Sequence, residues 1–315
     1  MICVMEIICD LEKIEKDKKT VITLGTFDGI HLGHRKILEM LVEKSAALGG
    51  RNVLVTFNPH PRSVLVKDKK VRLLSTLDEK IPILESVGVH NLLILNFTIE
   101  FSQKTSYEFI KEYLVDKIGV NEIVIGYDHH FGKGRDGNES SLRKMGEEFG
   151  FKVSLVEAVC IDNITVSSTA VRNALSEGDI LLANKLLGRN YSFSGVVVHG
   201  DKRGMNLGFP TANIEVFGED KFLPKISIYL VEIIVENINY FGLMSIGKRP
   251  TFYESGDVTT EVYIMNFSKE IYEQNITVNI IERIRDEEKF SSVDELIAQM
   301  KKDEEKGLEI INKLN

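Results

Sequence analysis

The sequence predicts an α/β domain built on a parallel, doubly wound sheet, followed by an antiparallel β-barrel that ends in a helix. Three observations carry that reading. In the first half, short apolar runs alternate with amphipathic stretches of helical length, the pattern of βαβ units. After about Gly188 the helical stretches stop, and strand-like runs follow one another across Gly, Asn and Asp turns. The chain is also long enough, at 315 residues, for two cores, since single cores rarely grow past about 250–300 residues.

Taken in order, the first strand is read in Val21–Phe27 and is followed by a helix over His34–Leu48. A second strand, Val53–Phe57, precedes a helix at Leu77–Val87, and a third, Leu92–Phe97, precedes one at Ser106–Ile118. Glu122–Tyr127, a helix at Ser140–Phe149 and a strand at Val153–Val159 complete the alternation. Two more helices, Thr169–Glu177 and Asp179–Leu187, close this half. The change of texture puts a boundary near 186–190, giving domains of 1–186 and 187–315. In the second, Tyr191–Gly200, Tyr229–Gly247, Thr259–Phe267 and Asn275–Ile284 read as strands. The final helix, Ser292–Ile311, opens on a capping box of Ser292 and Glu295.

Composition narrows the function classes. The net charge of −8 argues against a general nucleic-acid binder, which shows a basic face. Anionic small molecules stay compatible, because helix N-termini and Mg²⁺ act locally. No apolar run approaches the roughly 18 residues of a membrane helix. The N-terminal residues lack the basic start and small-residue cleavage site of a secretory signal, so a cytoplasmic location is expected. Cys3, Cys9 and Cys160 form neither a metal-ligand spacing nor an even disulfide set, and are read as reduced thiols.

The densest motif is GTFDGIHLGH, Gly25 to His34, where a buried strand ends and a helix begins. Gly25, Gly29 and Gly33 let backbone approach a phosphate, and the new helix turns its N–H groups toward it. His31 and His34, three apart, are expected on one helical face, where two imidazoles can donate to phosphate oxygens during transfer. TFNPHP (Thr56–Pro61) and GYDHHFGKGRDG (Gly126–Gly137) follow other strands, the latter with Asp128 and Phe131. VSSTAVR (Val166–Arg172) opens a helix, and Ser167, Ser168 and Thr169 are either N-caps or, with Arg172, a phosphate clamp. In the second half, HGDKRGMNLGFPTANI (His199–Ile214) holds Gly200, Gly204 and Gly208, then Pro210, Thr211 and Asn213. It is either a glycine-rich hairpin connection or an oxygen-ligand loop suited to Mg²⁺.

Together these motifs resemble the bacterial bifunctional riboflavin kinase/FAD synthetase family, over essentially the whole chain. The resemblance implies two Mg-ATP-dependent steps, riboflavin to FMN and then FMN to FAD with release of pyrophosphate. It implies that Gly25, Phe27, Asp28, His31, Gly33 and His34 meet ATP phosphates, and that Ser167, Ser168, Thr169 and Arg172 hold the triphosphate. Asn58, Asp128 and Phe131 then shape the nucleotide and flavin sites. In the kinase half, Gly204, Gly208, Pro210, Thr211 and Asn213 would bind Mg-ATP, Thr211 and Asn213 at the metal. Glu261 would take the riboflavin 5′-hydroxyl proton, although a strand Glu is commonly just an exposed carboxylate.

The second half departs from the family pattern at Met205, Ser227, Tyr263, Asn266 and Glu273. Partners are small molecules, with neither nucleic acid nor membrane, and any contact with apo-flavoproteins transient. The rival reading is an adenylyl- or cytidylyltransferase with a degenerate flavin-binding C-terminal module.

Overall fold

The computed structural model describes residues 5–66, 71–200, 208–218, 220–248 and 258–314. Compactness divides it into two units, Met1–Leu73 with Leu77–Ser167, and Leu74–Thr76 with Ser168–Asn315.

The strands of the first unit are β1 (Glu6–Ile8), β2 (Thr20–Leu24), β3 (Asn52–Asn58), β4 (Asn91–Asn96), β5 (Val120–Gly126) and β6 (Lys152–Val156). They form one parallel sheet in the order β1-β4-β3-β2-β5-β6. Its helices are α1 (Leu32–Leu48), the short α2 (Pro61–Leu65), α3 (Leu77–Val87), α4 (Ser106–Phe109) and α5 (Glu139–Phe149). The central strands are apolar on both sides because helices cover both faces. Val21, Leu54, Leu92 and Val124 pack with Leu38 and Leu41 of α1 and Leu84 of α3. Ile22, Val53, Leu93 and Ile123 pack on the other face with Leu114, Ile118 and, from α5, Leu142. The chain moves from β2 through β3 to β4 on one side, and from β5 to β6 on the other. Strand order therefore reverses between β2 and β5, the place where open parallel sheets bind ligands beyond their strand ends.

Several elements differ from the sequence reading for local reasons. The first strand stops at Leu24, because Gly25 (φ 155°) and Phe27 (φ 45°) leave extended geometry. Ser106–Ile118, expected as one α-helix, widens into a π-helix over Ile110–Ile118, and Gly119 closes it by donating to the Leu114 carbonyl. The strand expected to reach Val159 ends at Val156. A small hairpin, β7 (Cys160–Ile161) and β8 (Ile164–Thr165), then precedes the SSTAVR segment. Its turn residues Asp162 and Asn163 both have positive φ, as a two-residue type I′ turn requires.

The second unit opens with α6 (Ser168–Glu177) and α7 (Ile180–Leu187). Six antiparallel strands follow: β9 (Tyr191–Val198), β10 (Thr211–Val216), β11 (Ser227–Val235), β12 (Ile238–Lys248), β13 (Val258–Ile264) and β14 (Asn275–Asp286). They close into a barrel in the order β10-β13-β12-β11-β14-β9. The long run expected at Tyr229–Gly247 is two strands, split by Glu236 and Asn237 at positive φ. Phe193, Tyr229, Val231, Met244, Val262 and Val278 are fully buried, as alternate residues of strands facing a filled barrel interior. α7 docks through Asn184, whose side-chain amide donates to Ile280 O at 2.9 Å and whose Oδ1 accepts from Tyr191 N at 2.7 Å. The Leu74–Thr76 strap belongs here because buried Lys221 donates to Leu74 O (2.8 Å) and Ser192 O (2.7 Å).

The closing helix α8 (Val293–Leu314) covers one outer side of the barrel, where Ile311 meets Leu230, Leu243 and Met265. Its cap is shared: Ser292 Oγ accepts from Glu295 N, while the Glu295 carboxylate reaches back to Ser291 N. Arg285 of β14 grips buried Asp303 of α8 with two nitrogens, at 2.9 and 2.8 Å. Removing one partner of a buried pair leaves a charge uncompensated. Asp303→Ala is therefore expected to lower stability by about 3 kcal/mol, read as an earlier midpoint in denaturant unfolding followed by barrel-specific probes. An unchanged midpoint would show that the pair contributes nothing net.

Candidate active sites

The turn between β2 and α1 is built from unusual backbone. Gly25, Phe27, Gly29 and Ile30 all have positive φ, at 155°, 45°, 84° and 38°. For Phe27 and Ile30 such geometry costs about 1–3 kcal/mol each and needs support from its surroundings. Phe27, Asp28, Ile30 and His31 are all buried. His31 lies not inside the helix, as the spacing suggested, but at its N-cap, with Nδ1 accepting from His34 N at 3.2 Å. Its ring stacks on that of His34, centroids 3.7 Å apart and 15° between planes, and Phe27 packs against His34 at 4.9 Å. Gly33 permits this stack: a Cβ there would sit 3.2 Å from the His31 ring. Because Nδ1 accepts, the neutral imidazole of His31 carries its proton on Nε2, and that N–H is the donor.

β3, β5 and the β7–β8 hairpin bring the other first-half motifs forward. Asn58 is the last residue of β3, and Asp128 follows Gly126 at the end of β5, beside β2 across the reversal. Phe131 is buried among Phe109 and Leu142, and its backbone bridges to Gly137. Val166 O lies 3.7 Å from where a Gly33 Cβ would stand, and Ser167 follows it directly. Ser168, Thr169 and Arg172 form the first turns of α6, which is compact with the second unit.

Sequence reasoning missed three features of the first unit. Lys80 of α3 donates to Thr26 O at 2.9 Å, inside the glycine-rich turn, and lies outside every motif. Phe57, Phe97, Phe101 and Phe109 form a chain of ring contacts with centroids 5.6–6.4 Å apart. Beside them opens a cavity of about 570 Å³ lined by residues that include Asn96, Phe101, Lys104 and Tyr113. Phenylalanines scattered over three elements leave no spacing signal to read. His129 has an Nε2 shielded from solvent and without a partner among the described residues, and its ring stacks on Phe131.

On the barrel, strand register assembles the second site. Asn213 stands directly opposite Glu261, and Thr211 opposite Tyr263. Side chains two apart, and those directly opposed, share one face. Ala212 and Ile214 pair with buried Val262 and Thr260 on the inner side, so Thr211, Asn213, Glu261 and Tyr263 face outward. Ser245 of β12 pairs with Glu261 and continues the row. Thr211 Oγ1 donates to Glu261 Oε2 at 3.3 Å, and a Cβ on Gly200 would collide with the Asn213 amide. The sequence reading left Pro210–Asn213 as loop; Thr211 and Asn213 instead begin β10, and the pairing explains their juxtaposition. Gly208 (φ 81°) and Pro210 are exposed ahead of it. Gly204 and Met205 lie outside the described residues.

Four of the departures from the family pattern have a structural setting. Ser227 is buried and donates to Asp286 at 3.3 Å. Tyr263 bonds Glu304 through its hydroxyl at 3.2 Å. Asn266 and Glu273 both take positive φ, at 54° and 64°, and Glu273 there occupies backbone that glycine adopts without cost.

A parallel α/β sheet unit followed by a closed antiparallel barrel is the observed architecture, and comparison with known proteins identifies both halves. Residues 13–170 match the family model of FAD synthetase, and 187–311 that of riboflavin kinase. A Listeria monocytogenes bifunctional riboflavin kinase/FMN adenylyltransferase is 37% identical over 92% of this chain and 91% of its own. Its Bacillus subtilis counterpart is 34% identical over 95% of each. A Streptococcus pneumoniae crystal structure described as a macrolide-efflux protein superposes with a TM-score of 0.87 at 31% identity, over 96% of this chain and 98% of that one. Among the described residues here, no helix is long and apolar enough to cross a membrane. The chain belongs to the bifunctional riboflavin kinase/FMN adenylyltransferase family.

Burial, with His130 close by, pushes the His129 imidazole down to about 4, so it is neutral in the folded protein at neutral pH. Its folded pKa is below its unfolded one of about 6.5, so this group costs stability as pH falls from 6.5 toward 4. The expected result is a His129 C2-proton NMR signal that stays fixed between pH 7.5 and 5. A shift with its midpoint near 6.5 would contradict the burial.

Proposed function

We infer that this chain makes FAD from riboflavin in two ATP-dependent steps, phosphorylating riboflavin to FMN and then transferring AMP from ATP to FMN with release of pyrophosphate. One observation carries the reading: a single chain of this family holds both the capped His31–His34 turn at a sheet reversal and the Thr211–Asn213–Glu261 face of a closed barrel. We assign adenylyl transfer to residues 1–186 and the kinase step to 187–315.

In adenylyl transfer an FMN phosphate oxygen attacks the α-phosphorus of ATP, and the bond to the bridging oxygen of pyrophosphate breaks. The nucleophile is already ionised, so no base is required, and the protein contributes position and charge stabilisation. Nε2–H of His31 and the ring of His34 are the donors toward those phosphates, with the turn of Gly25, Phe27, Asp28 and Gly33 as the cradle around them. Ser167, Ser168, Thr169 and Arg172 hold the triphosphate. Asn58, Asp128 and Phe131 shape the nucleotide and flavin positions.

In the kinase step the riboflavin 5′-oxygen attacks the γ-phosphorus of ATP, its proton passes to Glu261, and ADP leaves. The Thr211 hydroxyl fixes the orientation of that carboxylate. Gly208 and Pro210 lead the chain into Thr211 and Asn213, and Gly204 belongs to the same Mg-ATP segment. Thr211, Asn213 and Glu261 offer only oxygen or amide donors, a set that fits Mg²⁺ rather than a softer metal. Mg²⁺ keeps waters and phosphate oxygens in its shell, so a few such donors beside a nucleotide suffice. When bound, Mg²⁺ at Thr211 and Asn213 would neutralise phosphate charge.

A cytoplasmic location and at most transient contact with apo-flavoproteins complete the proposal. The rival, a lone adenylyl- or cytidylyltransferase with a degenerate barrel, is not favoured, since Thr211, Asn213 and Glu261 stand on one face.

Variants of the full chain separate the two steps. His34→Ala is expected to lower FAD formation about 100-fold or more while FMN still accumulates from riboflavin. Glu261→Gln is expected to do the reverse, lowering FMN formation about 100-fold or more while supplied FMN is still converted to FAD. Undiminished FMN synthesis by Glu261→Gln would remove Glu261 as the base.

A further inference from the structure

Lys80 belongs to none of the motifs, yet its ammonium reaches from α3 into the turn after β2 and donates to Thr26 O at 2.9 Å. Thr26 lies between Gly25 and Phe27, the first two positive-φ residues of that turn, and two residues before buried Asp28. Two carboxylates face the ammonium: Asp28 from the turn and Glu79 from its own helix. We propose that Lys80 is a positioning residue for adenylyl transfer, holding the Thr26 carbonyl and facing Asp28 so that the turn presents the His31–His34 pair to the ATP phosphates. The inference rests on the adenylyltransferase reading of that turn.

Charge is essential to the role. A neutral side chain of the same length would keep the helix in place but lose the ammonium's bond to Thr26 O and the cation facing Asp28. Arginine keeps a cation there. Burial holds the Lys80 pKa below the ordinary lysine range, with Asp28 and Glu79 opposing that pull. The proton is therefore lost as pH rises, and adenylyl transfer falls on the alkaline side with it.

The test uses full-length protein carrying Lys80→Met or Lys80→Arg. FAD formation from FMN and Mg-ATP is measured across pH, with FMN formation from riboflavin as an internal control of folding. Lys80→Met is expected to lower kcat for FAD formation about 100-fold, the scale of a small misplacement at a reacting centre, with kinase activity unchanged. Lys80→Arg is expected to keep much of the activity and to move the alkaline limb of the kcat profile to higher pH, because guanidinium does not deprotonate there. Wild-type FAD formation by Lys80→Met would overturn the proposal. If Lys80→Met also loses kinase activity, the Lys80→Arg profile decides: a limb at the wild-type position overturns it. Wild-type protein making no FAD from FMN would instead sink the adenylyltransferase reading itself.

Discussion

The hydrogen bond from His34 N to His31 Nδ1 organises the first unit's chemistry. It starts α1 at Leu32, and so sets where the helix's remaining N–H groups are directed. It places the proton of neutral His31 on Nε2, making that ring a donor. It also brings the rings into a stack that Gly33 leaves room for, since a Cβ there would crowd the His31 ring at 3.2 Å. Glycines, histidines and backbone strain in this stretch are parts of one arrangement, in which the protein's own contacts hold the two imidazoles in place.

The barrel reaches a comparable arrangement by a different constraint. Closure leaves no free edge, and alternation sends every second side chain into a filled interior. Polar residues on β10 and β13 therefore either face outward or cost stability. Register then fixes which of them meet: Asn213 with Glu261, Thr211 with Tyr263. A one-residue slip of β10 would send Thr211 and Asn213 inward, away from Glu261 and Tyr263, so the register that builds the core also sets this row of side chains.

Much of this was legible in the sequence. Periodicity showed the βαβ alternation, and Leu77–Val87 has the bounds that its apolar spacing indicated. The GTFDGIHLGH and PTAN motifs pointed to residues that the folded chain gathers on one turn and one strand face. What stayed illegible depends on contacts far apart in sequence. Lys80 is 54 residues from Thr26 and has no local pattern. Strand β10 follows a proline and is short, so its membership in the barrel shows only through pairing with β9 and β13. The β7–β8 hairpin had a signal, the Asp162–Asn163 pair between short apolar runs, that was too brief to outweigh a longer strand assignment. His31 at a cap rather than within a helix follows from Nδ1 competing for the His34 N–H, which spacing alone does not reveal.

One chain thus carries two phosphorus transfers, at two different atoms of ATP. The most direct measurement supplies riboflavin with Mg²⁺ and ATP labelled either at the α- or at the γ-phosphate, then separates the flavins by chromatography. The expected result is γ-label alone in FMN, and FAD that acquires label from both α- and γ-labelled ATP, since it keeps the FMN phosphate and gains AMP. FAD without α-label, or FMN without γ-label, would contradict it.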